Sequence, residues 1–254
     1  PVVVLNSDVL SGHDLAAQVD LHRKADAAVT LHLVEVADPS RFGCVPTDSS
    51  GRVTAFLEKT PDPVTRQINA GCYVFRRQVI DRIPAGRPVS VERETFPSLI
   101  AAGQPVMGYL ESAYWLDVGT PQAFARGSCD LVLGRLPAPA LPGRRGPALL
   151  LDGASVAAGA SLSGGTVVGA GASVAAGATV AGSVLFDGAA VGERAVVRGS
   201  IVGAGAVVAG GAVLDEAVVG DRAFIGPGNE LARGIRVWPG TRLEATSVRF
   251  SSDA

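Results

Sequence analysis

The chain has few of the residues that build metal clusters, disulfide frameworks or imidazole catalysis. Only three of its 254 residues are cysteine and three are histidine. Cys44, Cys72 and Cys129 are odd in number and far apart. That spacing excludes a zinc cluster and a disulfide framework, and predicts reduced thiols in a cytoplasmic protein. His13, His22 and His32 all lie in the first half, so the second half carries no imidazole. An excess of one charge is also missing. Twenty-two basic and 24 acidic side chains leave a net charge of −2, which gives neither nucleic acid nor an anionic membrane surface a reason to bind. No apolar run reaches the roughly 18 residues of a spanning helix. Nor does a basic segment precede the apolar run Pro1-Val-Val-Val-Leu5, as it would in a secretory leader.

What is there is 47% hydrophobic, enough for a substantial core. It is arranged in two stretches with different periods. Residues 1–135 alternate strand and helix signals. Val2–Leu5 reads as a buried parallel strand, and its place at the very start predicts that further residues of the same domain lie upstream. Asn6-Ser7-Asp8 is the polar turn at its carboxyl end. Asp14 can cap a helix to about Ala25, with Leu15, Val19 and His22 on one stripe. Strands are predicted over 28–36, 53–57, 70–75 and 106–110, and helices near 78–83 and 92–102. This succession predicts an α/β domain with a mainly parallel sheet.

The Pro, Gly and Arg-rich segment 136–147 reads as a linker, after which residues 148–247 follow another rule. An aliphatic residue recurs about every sixth position, from Leu150, Val156 and Leu162 through to Leu231, Val237 and Leu243. The step shortens to five between Val180 and Leu185, Val197 and Val202, and Leu214 and Val219, so the short steps are themselves 17 residues apart. Three near-hexads per turn predict a three-sided coil. Each side is a short strand with one aliphatic side chain inward, each corner is small, and successive coils stack about 4.8 Å apart. The series gives roughly five coils. Disordered Gly/Ala sequence would not hold its aliphatics in phase over this length.

The hexad series resembles the left-handed parallel β-helix of hexapeptide-repeat proteins. An acyltransferase of that class typically uses a coil histidine, which is absent here, so the β-helix is read as structural and as the route to a homo-oligomer. The first half resembles the sugar-nucleotide pyrophosphorylases, most closely their mannose-1-phosphate guanylyltransferase branch. Four segments carry the likeness: Leu5-Asn6-Ser7-Asp8, Phe56-Leu57-Glu58-Lys59-Thr60, Ile68-Asn69-Ala70-Gly71-Cys72-Tyr73, and Trp115-Leu116-Asp117-Val118-Gly119-Thr120-Pro121. The stretch Ser90-Val91-Glu92-Arg93-Glu94-Thr95-Phe96-Pro97 favours the mannose over the glucose branch. The resemblance implies an incomplete Rossmann-like nucleotidyltransferase domain ahead of the β-helix.

It also implies residue roles. Asp8 and Asp117 would hold Mg²⁺, since two hard oxygen donors can fix the cation against phosphates whose charge must be neutralised. Lys59 would receive the sugar phosphate, and Glu58 would accept hydrogen bonds from sugar hydroxyls. Asn69 would bond those hydroxyls, Gly71 would let the backbone approach the sugar without a Cβ, and Gly43 would lie near it. Each has a plainer reading: a turn-capping aspartate, a surface Glu–Lys pair, a turn before a strand. Glu92 and Arg93 belong either to the rim of the site or merely to a helix start. Ser7 stands where the family has glycine, and Thr60 where it has proline.

The implied reaction transfers a guanylyl group from GTP to mannose 1-phosphate. The glucose 1-phosphate reaction, an inactive regulatory paralogue and, least of all, an acyltransferase are the alternatives. The family's glycine-rich nucleotide loop is not found before Asp8, which predicts that these residues alone do not turn over.

Overall fold

The computed structural model describes residues 1–57, 62–139, 141 and 145–249. The chain divides into two compact units, Pro1–Trp115 and Leu116–Ala254. In the first, β1 (Val2–Leu5), β2 (Val9–Ser11), α1 (Leu15–Lys24), β3 (Val29–Glu35) and β4 (Gln67–Phe75) are followed by α2 (Arg77–Asp81), a π-helical turn (Val91–Thr95), α3 (Phe96–Ala101) and β5 (Val106–Leu110).

Four strands form one sheet in the order β1-β4-β3-β5. Only β3 and β5 pair parallel; β1–β4 and β3–β4 are antiparallel, which corrects the mainly parallel sheet expected from sequence. A parallel pair needs a crossover, usually a helix. The connection from β3 to β5 contains α2 and α3, whereas the described part of the β3–β4 connection contains no helix. That connection instead makes antiparallel bridges, Cys44 with Leu57 and Ile68 and Thr47 with Val53. The strand expected over 53–57 is reduced to such isolated bridges. β1 is also not buried: it lies at the sheet edge, with Leu5 61% exposed.

One face of the sheet carries the main core. Leu31 and Leu33 of β3, Tyr73 and Phe75 of β4, and Val106 of β5 close over Phe96. The rings of Tyr73, Phe75 and Phe56 lie 5.2, 5.9 and 5.4 Å from Phe96. The opposite face takes α1, whose N-cap Asp14 accepts the Ala17 amide as expected. The stripe that α1 buries is Gln18 and His22, while Leu15 is exposed. Polar side chains can be buried there because they are bonded: Gln18 Nε2 donates to the Thr30 and Cys72 carbonyls at 3.1 and 3.2 Å.

After β6 (Trp115–Asp117) comes α4 (Pro121–Val132) of the second unit, capped by the Thr120 hydroxyl on the Ala123 amide. The unit continues as seventeen short strands, β7 (Ala148–Leu150) to β23 (Arg242–Leu243). These stack as three parallel sheets of six, six and five strands, so the coil makes nearly six turns where the sequence series suggested five. Register confirms the period: Val180 pairs with Val197 and Val197 with Leu214. Every aliphatic of the series from Val168 to Val237 is buried. Leu150, Val156, Leu162 and Leu243 are not, since their strands end the three sheets and pair on one side only. α4 packs on these coils: Phe124 stacks on Phe186 with centroids 6.2 Å apart, and a Cβ on Gly165 would come within 2.4 Å of the Cys129 carbonyl oxygen.

The shortened corners have a chemical reason. At two of the three five-residue steps, Val180 to Leu185 and Val197 to Val202, the residue two before the second aliphatic is a serine that turns inward and bonds the next coil; at the third it is Ala217, whose amide donates to Ser200. Ser183 Oγ accepts the Ser200 amide at 3.1 Å, and Ser200 Oγ accepts the Ala217 amide at 3.0 Å. The same hydroxyls donate to Ala181 and Arg198 carbonyls. A polar ladder thus satisfies buried backbone groups at the tightened corner. Elsewhere corners demand small residues: a Cβ on Gly203 would meet the Asp221 amide nitrogen at 2.6 Å.

Candidate active site

The site is built where β4 departs from regular pleating. Leu31 pairs with Tyr73 and Leu33 with Asn69, so β4 carries two extra residues and bulges at 70–72. Gly71 takes a φ of +78°, which L side chains avoid, and a Cβ there would lie 3.0 Å from Asn6 Cβ and Nδ2. In return the Gly71 carbonyl accepts the Asn6 amide at 2.8 Å. The turn carrying Asn6, Ser7 and Asp8 is thereby tied to the bulge carrying Asn69 and Gly71. Gly43 joins from the β3–β4 connection, its carbonyl accepting the Asn69 amide at 3.2 Å.

Asn69 is held on all sides. Its Nδ2 donates to Tyr73 Oη at 2.7 Å and to Glu92 Oε1 at 2.8 Å, and its Oδ1 accepts the Gly71 amide at 3.2 Å. Tyr73 Oη also donates to Glu92 Oε1 at 3.1 Å and is bonded by the Asn6 side chain. Burial, above all, pushes the Tyr73 phenol far above its ordinary value, so it stays protonated and serves as a donor. Glu92 reaches this network from the π-helical turn. Pro97, on the first turn of α3, has no N–H for the Arg93 carbonyl, and the helix begins instead with the wide bond from Thr95 to the Ser90 carbonyl at 3.4 Å.

The structure therefore brings Gly43, Asn69 and Gly71 together and places Asp8 on the turn that touches them. Asp8 is exposed. Asp117 belongs to the second unit, where Oδ1 accepts the Gly119 amide at 2.7 Å just ahead of α4. Glu58 and Lys59 lie outside the described residues. Among the described residues no group of three His, Cys, Asp or Glu side chains could hold a metal ion. A cation at Asp8 or Asp117 would need phosphate oxygens or water to complete its shell, and these exposed or half-buried carboxylates suit that use.

From the residue pattern Glu92 is either rim or helix start, and Tyr73 and Asn6 have no role of their own. An i, i+4 pair on a regular strand is separated by about 13 Å. The bulge brings Asn69 and Tyr73 into hydrogen bonding, and nothing in the residue spacing announces it. The one available signal was Gly71, which in a strand marks a bulge or a close approach.

Trp115 closes the neighbouring side, with its indole N–H on the Ala70 carbonyl at 3.0 Å and its ring edge-on to Phe42 at 5.5 Å. A cleft of about 520 Å³ opens beside it, lined by Glu35, Leu110, Glu111 and Ser112 at the carboxyl ends of the parallel strands β3 and β5. Ligands of open α/β sheets gather at such ends.

Known proteins share both halves of this chain. The family described as nucleotidyl transferase matches residues 1–132, and that described as the GMPPB C-terminal domain matches residues 144–223. The mannose-1-phosphate guanylyltransferase of Mycobacterium tuberculosis is 56% identical over 252 residues, covering 99% of this chain and 70% of that protein. The mannose-1-phosphate guanyltransferase of Yarrowia lipolytica is 38% identical over 130 residues, 51% of this chain and 35% of that protein. The mannose-1-phosphate guanylyltransferase catalytic subunit beta of Drosophila pseudoobscura pseudoobscura is 36% identical over 129 residues, 51% of this chain and 34% of that protein.

Proposed function

Because this chain belongs to the nucleotidyltransferase family, we propose that it carries the sugar-phosphate side of a mannose-1-phosphate guanylyltransferase. A phosphate oxygen of mannose 1-phosphate attacks the α-phosphorus of GTP. The bond from that phosphorus to the bridging oxygen of the β-phosphate breaks, and GDP-mannose and pyrophosphate result. The observation that carries this reading is the bond between the Asn6 amide and the Gly71 carbonyl, which joins two family segments more than sixty positions apart beside Asp8.

The chain's own residues bind and orient. The missing Cβ of Gly71 admits Asn6 and so fixes the turn of Asp8 against the bulge, and the network around Asn69 faces the sugar hydroxyls. Lys59 takes the phosphate as a compact positive charge. Asp8 and Asp117 are the residues that would hold Mg²⁺, and the Gly119 amide already orients Asp117. When bound, the ion neutralises phosphate charge as the bond at phosphorus is exchanged. No protein nucleophile is required. Cys72 and Cys129 are buried thiols pushed up to about 11 by desolvation, which suits structural rather than nucleophilic use. Three reduced, buried thiols support a cytoplasmic setting. Among the described residues no helix is long and apolar enough to cross a membrane. The coils, with Trp238 80% exposed on one of the last, are the expected route to a homo-oligomer.

Incubation of the full-length protein with GTP, mannose 1-phosphate and Mg²⁺, followed by mass spectrometry, should yield GDP-mannose and pyrophosphate. If no sugar 1-phosphate gave a nucleotide sugar, the enzymatic reading would be wrong.

A further inference from the structure

We infer that the Glu92 carboxylate, and not the Asn69 amide, is the group that reads the sugar hydroxyls, with Asn69 and Tyr73 acting as positioning residues behind it. The inference rests on the functional reading above and deepens it.

It follows from counting donors and acceptors. An asparagine amide nitrogen has two hydrogens. Asn69 commits both, to Tyr73 Oη and Glu92 Oε1, and one of the two lone pairs on its oxygen takes the Gly71 amide. Tyr73 has one hydrogen, given to Glu92, and its oxygen takes bonds from Asn69 and Asn6. Neither side chain has a hydrogen left for a ligand. Glu92 differs: both of its bonds enter Oε1, and Oε2 is unused by the network. A carboxylate only accepts, and a sugar hydroxyl donates. Glu92 is also half-buried, so it reaches solvent while two donors fix its plane. The π-helical turn has a use here, since it carries Glu92 to this network. A fixed acceptor distinguishes hexose 1-phosphates whose hydroxyls point to it from epimers whose hydroxyls do not.

The test uses the full-length protein with GTP, mannose 1-phosphate and its single-deoxy analogues. E92Q should keep the network through its remaining oxygen and turn an amide toward the sugar. The expected result is a KM for mannose 1-phosphate raised about tenfold to a hundredfold, the range of one hydrogen bond to a charged group, with the KM for GTP unchanged. In the wild type, one deoxy analogue should lose a similar factor, and in E92Q or E92A that penalty should largely disappear. N69A should raise the same KM while leaving the deoxy penalty in place at reduced size. A thermal melt of E92Q matching the wild type removes folding as the cause. Wild-type turnover with unaltered E92Q kinetics, or deoxy penalties that persist undiminished in both Glu92 variants, would overturn this inference alone. No nucleotide sugar from the wild type would overturn the functional reading and this inference with it.

Discussion

Acid should unfold the first unit through one imidazole. His32 is fully buried in β3, stacked on His13 with ring centroids 4.0 Å apart, and neither ring nitrogen has a hydrogen-bond partner among the described residues. Desolvation first, and the neighbouring His13 second, lower its pKa from 6.5 to about 3. The folded state therefore refuses a proton that the unfolded chain accepts. Stability is full above the unfolded value of 6.5 and is lost as pH falls toward the folded value near 3. By pH 5 the loss is about 2 kcal/mol, reaching roughly 5 kcal/mol below pH 3. Replacing His32 by Leu or Phe removes this proton linkage and breaks no hydrogen bond. Between pH 7.5 and 5 the variants should therefore lose about 2 kcal/mol less than the wild type. Urea unfolding followed by Trp115 fluorescence measures this, in a Trp238→Phe background that silences the exposed indole of the coils. Equal losses in wild type and variant, within about 0.5 kcal/mol, would refute the reasoning.

Gly71→Ala forces a side chain into a backbone conformation at φ +78° and within 3.0 Å of Asn6. It should cost about 1–2 kcal/mol in the Trp115 unfolding midpoint and raise the KM for the sugar phosphate. Leu214→Ala, at a fully buried coil position, should cost about 2–5 kcal/mol in coil unfolding read by Trp238 fluorescence. Ser200→Ala strands the Ala217 amide inside the tightened corner and should cost about 1–3 kcal/mol by the same measurement. Asp117→Asn should raise the Mg²⁺ concentration needed for half-maximal activity of the full-length enzyme by tenfold or more, about 1.4 kcal/mol.

The coils were legible because each strand of a three-sided coil repeats one inward position. The series from Val168 to Val237 is the buried series, and two of the three five-residue steps fall where Ser183 and Ser200 turn their hydroxyls inward. The first unit was less legible. An apolar run such as Val2–Leu5 states that a strand forms, but its neighbours decide whether the strand is central or an edge. The same holds for α1, where Gln18 and His22 are buried because β3 and β4 offer them partners.

Local sequence alone determined most of the elements, the coil period and the segments that compose the site, since each depends on side chains close together in the chain. Tertiary structure alone decided which side chains spend their hydrogens on one another. Asn69 has the chemistry of a sugar ligand in any sequence. Only the bulge at Gly71, which draws Tyr73 and Glu92 onto its amide, turns it into a support and leaves one carboxylate oxygen of Glu92 outside the network, because hydrogen bonding is set by distance and direction that spacing along a chain does not contain.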